Sequence, residues 1–338
     1  MRAARVRGGV VTSPWSQTSG LSFGDMLTVY VTCDILSSAK MVDPLGTRLA
    51  EVVGESHVAQ SRTKRVESTD VTNTKTLTDY DSHAGQFDRQ RQPGAAVIRF
   101  LQESLPMTDT CLSIGCGTGQ YEAALGSERL VGLDRSRGML KLASDRIRRL
   151  LHGDMLHLPI REECVAGAYL VNSLHHLGGN LEIDDEERTS SRLAALSQVH
   201  RALRHEGRIA IVQRDPEQNK TVWFWKYFPK ALATKLRIQP RIAGIQEWLS
   251  DCGFTEITAT PLHDQMIRGF FTEDAPMGEE FRYSFSEFSY LTAEELQDGL
   301  SQLRAAIHEG TAKADIELCK KRFSQIGGTT FGISALKP

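Results

Sequence analysis

The stretch CLSIGCGTGQ, residues 111–120, carries the strongest signal in this sequence. A short apolar run leads directly into glycines at three alternate positions, Gly115, Gly117 and Gly119. Glycine loses more backbone freedom on folding than any other residue, so three of them after a strand-like segment need a physical reason. A tight turn is one such reason, and close approach of a ligand to the backbone is another. The surrounding sequence decides between the two.

Length and composition place the chain among ordinary globular proteins. It has 338 residues, of which 40% are hydrophobic and 24% charged, and a formal net charge of −2. That balance argues against a protein-wide basic field that would attract nucleic acid or an anionic membrane. No apolar run approaches the roughly 18–20 residues that span a bilayer. The six cysteines form no C-x-x-C pair, so we predict a cytoplasmic protein with reduced thiols, no metal site and no membrane partner.

The first 75 residues differ in composition from the rest. Residues 1–24 contain three arginines and no acid, and residues 66–79 are polar. We predict that residues 1–75 form a disordered or loosely attached extension, and that residues 76–338 form the folded domain. An Arg- and Ser-rich, acid-poor start also resembles an organellar targeting segment, which is the alternative to a plain extension.

From residue 80 onward, strand-like and helix-like segments alternate along the chain. The apolar runs RLVGLD, VAGAYLV and RIAIVQ are separated by amphipathic segments. This alternation predicts parallel βαβ units and therefore a doubly wound α/β sheet. Terminal signals predict that one helix ends at Gly207 and that another runs from a cap at Thr292 to Gly310.

The regular alternation breaks after residue 215, where TVWFWKYFP brings several aromatic residues together. We predict an inserted aromatic and helical lid at about residues 215–310, covering an acceptor pocket. Trp223 and Tyr227 are the candidates for contact with the substrate, and burial in a hydrophobic core is the alternative for these aromatics.

The order of the neighbouring segments, which is strand, glycine loop, helix, second strand and acidic residue, is typical of a nucleotide-type site on an α/β sheet. Gly117 and Gly119 would let a ligand lie against backbone N–H groups and a helix N-terminus. Asp134, at the tip of the second strand, could accept both hydroxyls of a ribose, with capping of the next helix as the alternative. The third glycine comes one residue earlier than in the dinucleotide pattern G-x-G-x-x-G, which disfavours a dinucleotide.

Taken together, LSIGCGTGQ, VGLD, GDMLHLP and AYLVNSLHHL resemble the successive motifs of class I S-adenosylmethionine-dependent methyltransferases, over about residues 78–215. The resemblance is to the type 11-like, small-molecule branch. It implies a Rossmann-like, seven-stranded, mainly parallel sheet with S-adenosyl-L-methionine as cofactor. Asp134 would then hold the ribose and Asp154 the adenine amino group. The implied cofactor-binding residues are Tyr80, Ser113, Gly115, Cys116, Gly117, Gly119, Asp134, Arg135, Asp154, Met155 and Asn172.

One position departs from the family pattern. Members usually have an acid two residues before the first glycine, where it helps hold the methionine amino group, and this chain has Ser113. A serine can accept a hydrogen bond, but without the assistance of a charge. A non-catalytic homologue that binds S-adenosylmethionine is therefore one alternative function.

The predicted reaction is methyl transfer to a small-molecule acceptor. In-line displacement needs alignment first, and it needs a base only if the nucleophile carries a proton. His175 and His176 are the candidate bases, with support of the loop as the alternative. LSIGCGTGQY, LDRSRGML and NSLHHL also resemble wobble-uridine tRNA methyltransferases, which is the other alternative function. The basic residues of 135–149 could then contact phosphates, although a solvated helix face is the commoner explanation for such a strip.

Overall fold

The short apolar segments of the chain form a seven-stranded sheet in the computed structural model of the protein. The structure describes residues 41–42, 48–50, 80–177, 181–263 and 267–338. The predicted extension at residues 1–75, with its targeting alternative, lies outside these residues except for a short antiparallel pair, Met41–Val42 with Arg48–Ala50. The sheet strands are β1 Cys111–Ile114, β2 Leu130–Asp134, β3 Leu150–His152, β4 Val165–Val171, β5 Leu203–Arg214, β6 Thr255–Leu262 and β7 Thr330–Leu336.

The strand order is β3-β2-β1-β4-β5-β7-β6. Strands β1 to β5 pair in parallel, and β7 runs antiparallel to both β5 and β6. The predicted doubly wound, mainly parallel sheet is therefore confirmed. Every residue of β1 is buried, as expected for a strand covered on both faces. The chain moves outward through β2 and β3 and returns on the other side of β1, so the switch point lies between β1 and β4, where open α/β sheets bind ligands.

Helices cover both faces of the sheet and form a further layer beside it. They are α1 Tyr80–Gln90, α2 Ala95–Ser104, α3 Gln120–Leu125, α4 Arg137–Ala143, α5 Asp185–Ala202, α6 Pro216–Asn219, α7 Pro229–Ile238, α8 Ile242–Asp251, α9 Glu279–Arg282, α10 Ala293–Glu309 and α11 Thr311–Ile326. Short 3₁₀ turns lie at Met155–His157, Leu174–His176, Trp223–Tyr227, Ala275–Met277 and Ser286–Tyr290. In the described part of the chain, no helix combines the length and apolar character that crossing a membrane requires.

The addition to the sheet is built from two segments. Residues 216–238 and 267–326, here called the helical addition, share an aromatic core in which Phe224 and Trp225 are fully buried. Between these segments, α8 packs on the sheet and β6 pairs with β7. The single insertion predicted at 215–310 is thus interrupted by an element of the sheet layer, because the apolar side of α8, with Ile242, Ile245 and Leu249, is buried in the core of the sheet.

Candidate active site

A cavity of about 450 Å³ opens at the carboxyl ends of β1, β2, β4 and β5. Its walls come from the glycine loop, the ends of these strands, α1 and part of the helical addition. The position is the switch point of the sheet, and the volume falls in the range of small-ligand sites.

The glycine loop forms one wall of this cavity. Gly115, Gly117 and Gly119 all have positive φ, at 73°, 56° and 78°, a region that residues with a side chain rarely adopt. A Cβ on Gly115 would lie 2.6 Å from Cβ of Ser173, so packing alone requires glycine there. A Cβ on Gly117 would meet nothing within 4 Å, although this residue lines the cavity. The space beside Gly117 is therefore available to a ligand.

Asp134 joins the tip of β2 to the glycine loop. Its Oδ2 accepts a hydrogen bond of 2.8 Å from the Gly117 N–H, and its Oδ1 accepts one of 2.8 Å from Ser136 N–H. Burial raises the pKa of Asp134, although these hydrogen bonds act in the opposite direction. The cap of α4 is Ser136, whose Oγ accepts from Met139 N–H at 3.1 Å. The capping alternative for Asp134 is thus wrong, and its carboxylate lines the cavity.

Asp154 follows β3 and lines the cavity together with Met155. Its Oδ1 accepts from Leu156 N–H at 2.9 Å and so caps the following 3₁₀ turn. Its Oδ2 lies 3.9 Å from Nη1 of Arg135, a half-exposed residue of the cavity wall. Leu133 contributes an apolar surface to the same cavity.

The remaining predicted residues of the loop and of β4 occupy different places. Ser113 is buried in β1 and is not among the described residues that line the cavity. Cys116 lines the cavity, and burial raises the pKa of its thiol well above the usual range. Asn172 lines the cavity with φ at 49°, in the left-handed region, and its N–H donates to Val212 O at 2.8 Å. A non-glycine residue in this conformation is costly and is often found at functional sites.

Helix α1 forms part of the cavity wall through Tyr80, Asp81 and Phe87. Tyr80, its first residue, places its hydroxyl 3.2 Å from Nε2 of His176 and packs edge-on against Phe87. Burial raises the pKa of Tyr80, so its hydroxyl keeps its proton and can donate to His176. His175 and His176 both line the cavity. Burial lowers the pKa of both, that of His176 to about 4, so both rings are uncharged at neutral pH.

An ion pair that sequence reasoning missed holds α1 in this place. The Asp88 carboxylate accepts hydrogen bonds from Nη1 and Nη2 of Arg146, at 2.7 and 2.9 Å, and from Thr118 Oγ1 at 2.5 Å. Burial acts to raise the pKa of Asp88, but these hydrogen bonds outweigh it and the pKa is lowered. Arg146 belongs to the basic strip predicted for phosphate contact. Here it ties α1 to the glycine loop instead, while Arg137, Lys141 and Arg148 of the strip are exposed.

Comparison with known proteins agrees with this geometry. Residues 112–211 match the family model described as "Methyltransferase domain". These residues form a class I S-adenosylmethionine-dependent methyltransferase domain. The family prediction made from the motifs is therefore confirmed for this part of the chain.

Curated relatives resemble the same region. The chain is 31% identical over 150 residues to a tRNA (carboxymethyluridine(34)-5-O)-methyltransferase from Arabidopsis thaliana, covering 44% of this chain and 35% of the relative. It is 31% identical over 125 residues to one from Schizosaccharomyces pombe, covering 37% and 50% respectively. For the alkbh8 protein of Xenopus tropicalis the identity is 27% over 146 residues, covering 42% and 22%. The chain thus spans half or less of the length of these relatives.

A solved structure shares the fold across most of the chain. It is a putative methyltransferase from an antibiotic biosynthesis pathway of Anabaena variabilis ATCC 29413. The two align with a TM-score of 0.56 at 19% identity, covering 72% of this chain and 98% of that one. At this identity the likeness shows the fold alone.

Beyond the glycine loop, three cations line the cavity, of which two are buried and Arg91 is half-buried. Arg214 ends β5 and is only 7% exposed, and Lys235 of α7 is 2% exposed. Burial lowers the pKa of Arg214 to about 10 and that of Lys235 to about 8. Arg91, just after α1, donates from Nη2 to Ser284 O at 2.7 Å. All three cations line the cavity.

A single carboxylate of the same wall opposes these cations. Glu287, 2% exposed, accepts from Nζ of Lys235 at 2.5 Å. Nε of Arg214 is buried without a hydrogen-bond partner among the described residues. Three cations, Arg91, Arg214 and Lys235, thus face one carboxylate in this part of the cavity. Sequence reasoning missed all four residues.

The structure places the two predicted substrate-binding aromatics elsewhere. Trp223 and Tyr227 are 4% and 5% exposed and belong to the aromatic core of the helical addition. Nε1 of Trp223 donates to Phe270 O at 2.7 Å, and the Tyr227 hydroxyl donates to Asp315 Oδ2 at 2.7 Å. Neither is among the described residues that line the cavity, so both are core residues. The helical addition instead contributes Lys235 and residues 283–287 to the cavity wall, and Gln239, just after α7, also lines the cavity.

Proposed function

We propose that this protein transfers a methyl group from S-adenosylmethionine to a carboxylate oxygen of its acceptor. The observation that carries the proposal is the surplus of positive charge in one part of the cavity wall, where the half-buried Arg91 and the buried Arg214 and Lys235 face Glu287 as the one carboxylate among the described residues there. A buried charge without a counter-ion is costly, so a cavity built this way is suited to an anionic ligand.

The cavity has the donors and the space that the cofactor needs. Carboxylates at the ends of β2 and β3 suit ribose hydroxyls and an adenine amino group, and the open space at Gly117 suits close backbone approach. We assign Asp134 to the ribose and Asp154 to the adenine amino group, with Leu133 and Met155 against the ring. Tyr80 and the nearby Arg91 are assigned to the methionine carboxylate.

One cation remains in surplus after this assignment. The cofactor carboxylate would balance Arg91, and Glu287 already pairs with Lys235. Arg214 is then the cation for the acceptor. Its planar guanidinium can hold a carboxylate through two parallel hydrogen bonds, which fixes the direction of an oxygen lone pair.

When bound, S-adenosylmethionine supplies a methyl carbon on a positively charged sulfur, which an acceptor oxygen displaces in line. Arg214 would keep the acceptor carboxylate ionised, because an adjacent cation lowers the pKa of a carboxyl group. An ionised carboxylate has no proton to lose, so no general base is required. The low pKa of His176, about 4, agrees with this. We therefore assign His176 a positioning role beside Tyr80.

We propose a tRNA nucleoside as the carrier of the carboxylate. The named substrate of the curated relatives, carboxymethyluridine, bears such a group, and its carboxylate matches the charge of this cavity. A small carboxylic acid is the second candidate. It is favoured by the engagement of Arg146 with Asp88, which removes one cation from the strip that would contact phosphates.

A methyl-transfer assay with cofactor labelled in the methyl group tests both parts. The acceptors are a purified tRNA pool and a metabolite fraction, and each product is treated with mild alkali. A methyl ester releases its label as volatile methanol, whereas N-methyl and C-methyl products keep it. Alkali-labile label in tRNA supports the whole proposal, and alkali-labile label only in small acids refutes the tRNA part. Alkali-stable label refutes the carboxylate acceptor.

A further inference from the structure

A buried glutamate lies behind the glycine loop. Glu122 sits in the first turn of α3, is 5% exposed and lines the cavity. The Tyr169 hydroxyl donates to its Oε1 at 2.8 Å, and the nearby Ser113 side chain acts with Tyr169 to lower the pKa of this carboxylate. Its Oε2 is buried without a hydrogen-bond partner among the described residues. The carboxylate is therefore held on one side and unsatisfied on the other.

The sheet beneath α3 explains how this carboxylate is held. Ser113 of β1 and Tyr169 of β4 are partners in the parallel register, so their hydroxyls lie on neighbouring strands. Burial raises the pKa of Glu122, although these hydroxyls act to lower it. A buried, half-satisfied carboxylate is costly unless a cation or a donor completes it.

The other carboxylates of the cavity already have partners. Asp134 accepts backbone N–H groups with both oxygens, Glu287 pairs with Lys235, and Asp154 caps a turn beyond β3. The cofactor brings one ammonium group, which belongs to its methionine part. Glu122 is the buried acid beside the glycine loop whose second oxygen is still unsatisfied within the described residues.

We propose that Glu122 binds the α-ammonium group of S-adenosylmethionine and thereby supplies, from α3, the carboxylate that Ser113 does not supply from β1. The proposal rests on cofactor binding in this cavity, but not on the identity of the acceptor. Ser113 then becomes a positioning residue that orients Glu122 together with Tyr169. An acid on β1 would be redundant, because the same space already holds a carboxylate.

Calorimetry with two ligands tests the proposal without any methyl transfer. The ligands are S-adenosylhomocysteine and its analogue that lacks the α-amino group. Glu122→Gln is expected to lower the affinity for S-adenosylhomocysteine about 10- to 100-fold, as for the loss of one charge-assisted hydrogen bond. The affinity for the analogue is expected to change less than about twofold. Adding Ser113→Asp to that variant is expected to recover affinity for S-adenosylhomocysteine alone. Glu103→Gln, an exposed glutamate of α2, is the matched control.

A pH series adds a second readout. The pKa of Glu122 is raised, so the carboxylate becomes protonated as the pH falls. This protonation should lower the affinity of the wild type for S-adenosylhomocysteine and leave its affinity for the analogue unchanged. If Glu122→Gln lowers the affinity for both ligands equally, Glu122 has a structural role in the loop. If neither affinity changes, Glu122 does not contact the α-ammonium group. If Glu122→Gln does not fold, Tyr169→Phe replaces it, and loss of affinity for both ligands alike would then overturn the proposal. Failure of the wild type to bind S-adenosylhomocysteine would instead refute the cofactor site itself.

Discussion

Replacing Arg214 by methionine should separate function from stability. The substitution keeps an apolar stem of similar length but removes a guanidinium that is 7% exposed, with an Nε that lacks a partner among the described residues. Lys235→Met is the matched contrast, since it removes a cation whose Nζ bonds Glu287 at 2.5 Å. One variant removes a buried cation that forms no ion pair with the described residues, and the other leaves a buried carboxylate without its ion-pair partner.

The two substitutions should change the melting temperature by different amounts and in different directions. Removing one member of a buried ion pair costs about 3–5 kcal/mol of unfolding free energy, so Lys235→Met should lower Tm by roughly 6–10 °C in a domain of this size. Arg214→Met should leave Tm unchanged or raise it, because an uncompensated buried charge opposes folding. Its kcat/KM for a carboxylate acceptor should fall by about 100-fold or more, since two charge-assisted hydrogen bonds of about 1.5–3 kcal/mol each are lost.

Thermal unfolding and steady-state methyl transfer measure the two quantities on the same protein samples. Arg214→Lys should fall between wild type and Arg214→Met in kcat/KM, because it keeps the charge and loses the fork geometry. Calorimetry with S-adenosylhomocysteine should give equal affinities for all three proteins. If Arg214→Met loses as much stability as Lys235→Met and keeps its kcat/KM, then Arg214 is a structural counter-charge and the acceptor assignment is wrong.

Three further changes test other parts of the site. His176→Gln should lower kcat less than about tenfold, against the roughly 10²–10⁴-fold that loss of a general base causes, and kcat should be flat between about pH 6 and 8 because the pKa of His176 is about 4. Asp88→Asn should weaken the binding of S-adenosylhomocysteine, measured by calorimetry, by about 1 kcal/mol, because the partly exposed ion pair of Asp88 with Arg146 holds α1 at the cavity. An unchanged affinity would mean that α1 stays closed without the pair. Trp223→Ala should cost about 3–5 kcal/mol in denaturant unfolding and Tyr227→Phe about 1 kcal/mol, with kcat/KM unchanged at temperatures where both are folded. A selective loss of kcat/KM in a stable variant would restore their predicted contact with the acceptor.

The residues proposed to bind the cofactor could be predicted from the sequence because their signals are local. Each strand of a parallel sheet ends at the same edge, so the residues that follow β1, β2 and β3 meet there whatever the rest of the fold does. The cap at Thr292 and the left-handed Gly310 were likewise predicted from neighbours alone and are confirmed at the two ends of α10.

Gly207 shows where a local signal misleads. Its position after an amphipathic run predicted the end of a helix, but α5 ends at Ala202 and the chain enters β5 at the next residue. Pairing of β5 with β4 already begins at Leu203. Residues 203–207, which helix propensity alone would place in the helix, are therefore part of the strand. The left-handed residue in this stretch is Glu206, with φ at 59°, inside the strand.

The proposed acceptor side of the cavity depends on tertiary structure in a way that the proposed cofactor side does not. Arg214 could have been found by the same rule as Asp134, because both are the last, polar residue of a buried strand in the parallel part of the sheet. Lys235 and Glu287 could not, since they lie on separate segments of the helical addition, which come together when the aromatic core forms. Their pairing also decides what Arg214 is for: if Glu287 had been closer to Arg214 than to Lys235, the guanidinium would already have its counter-ion. The charge proposed to select the acceptor is therefore a property of how the helical addition packs on the sheet, and no single segment of the sequence contains it.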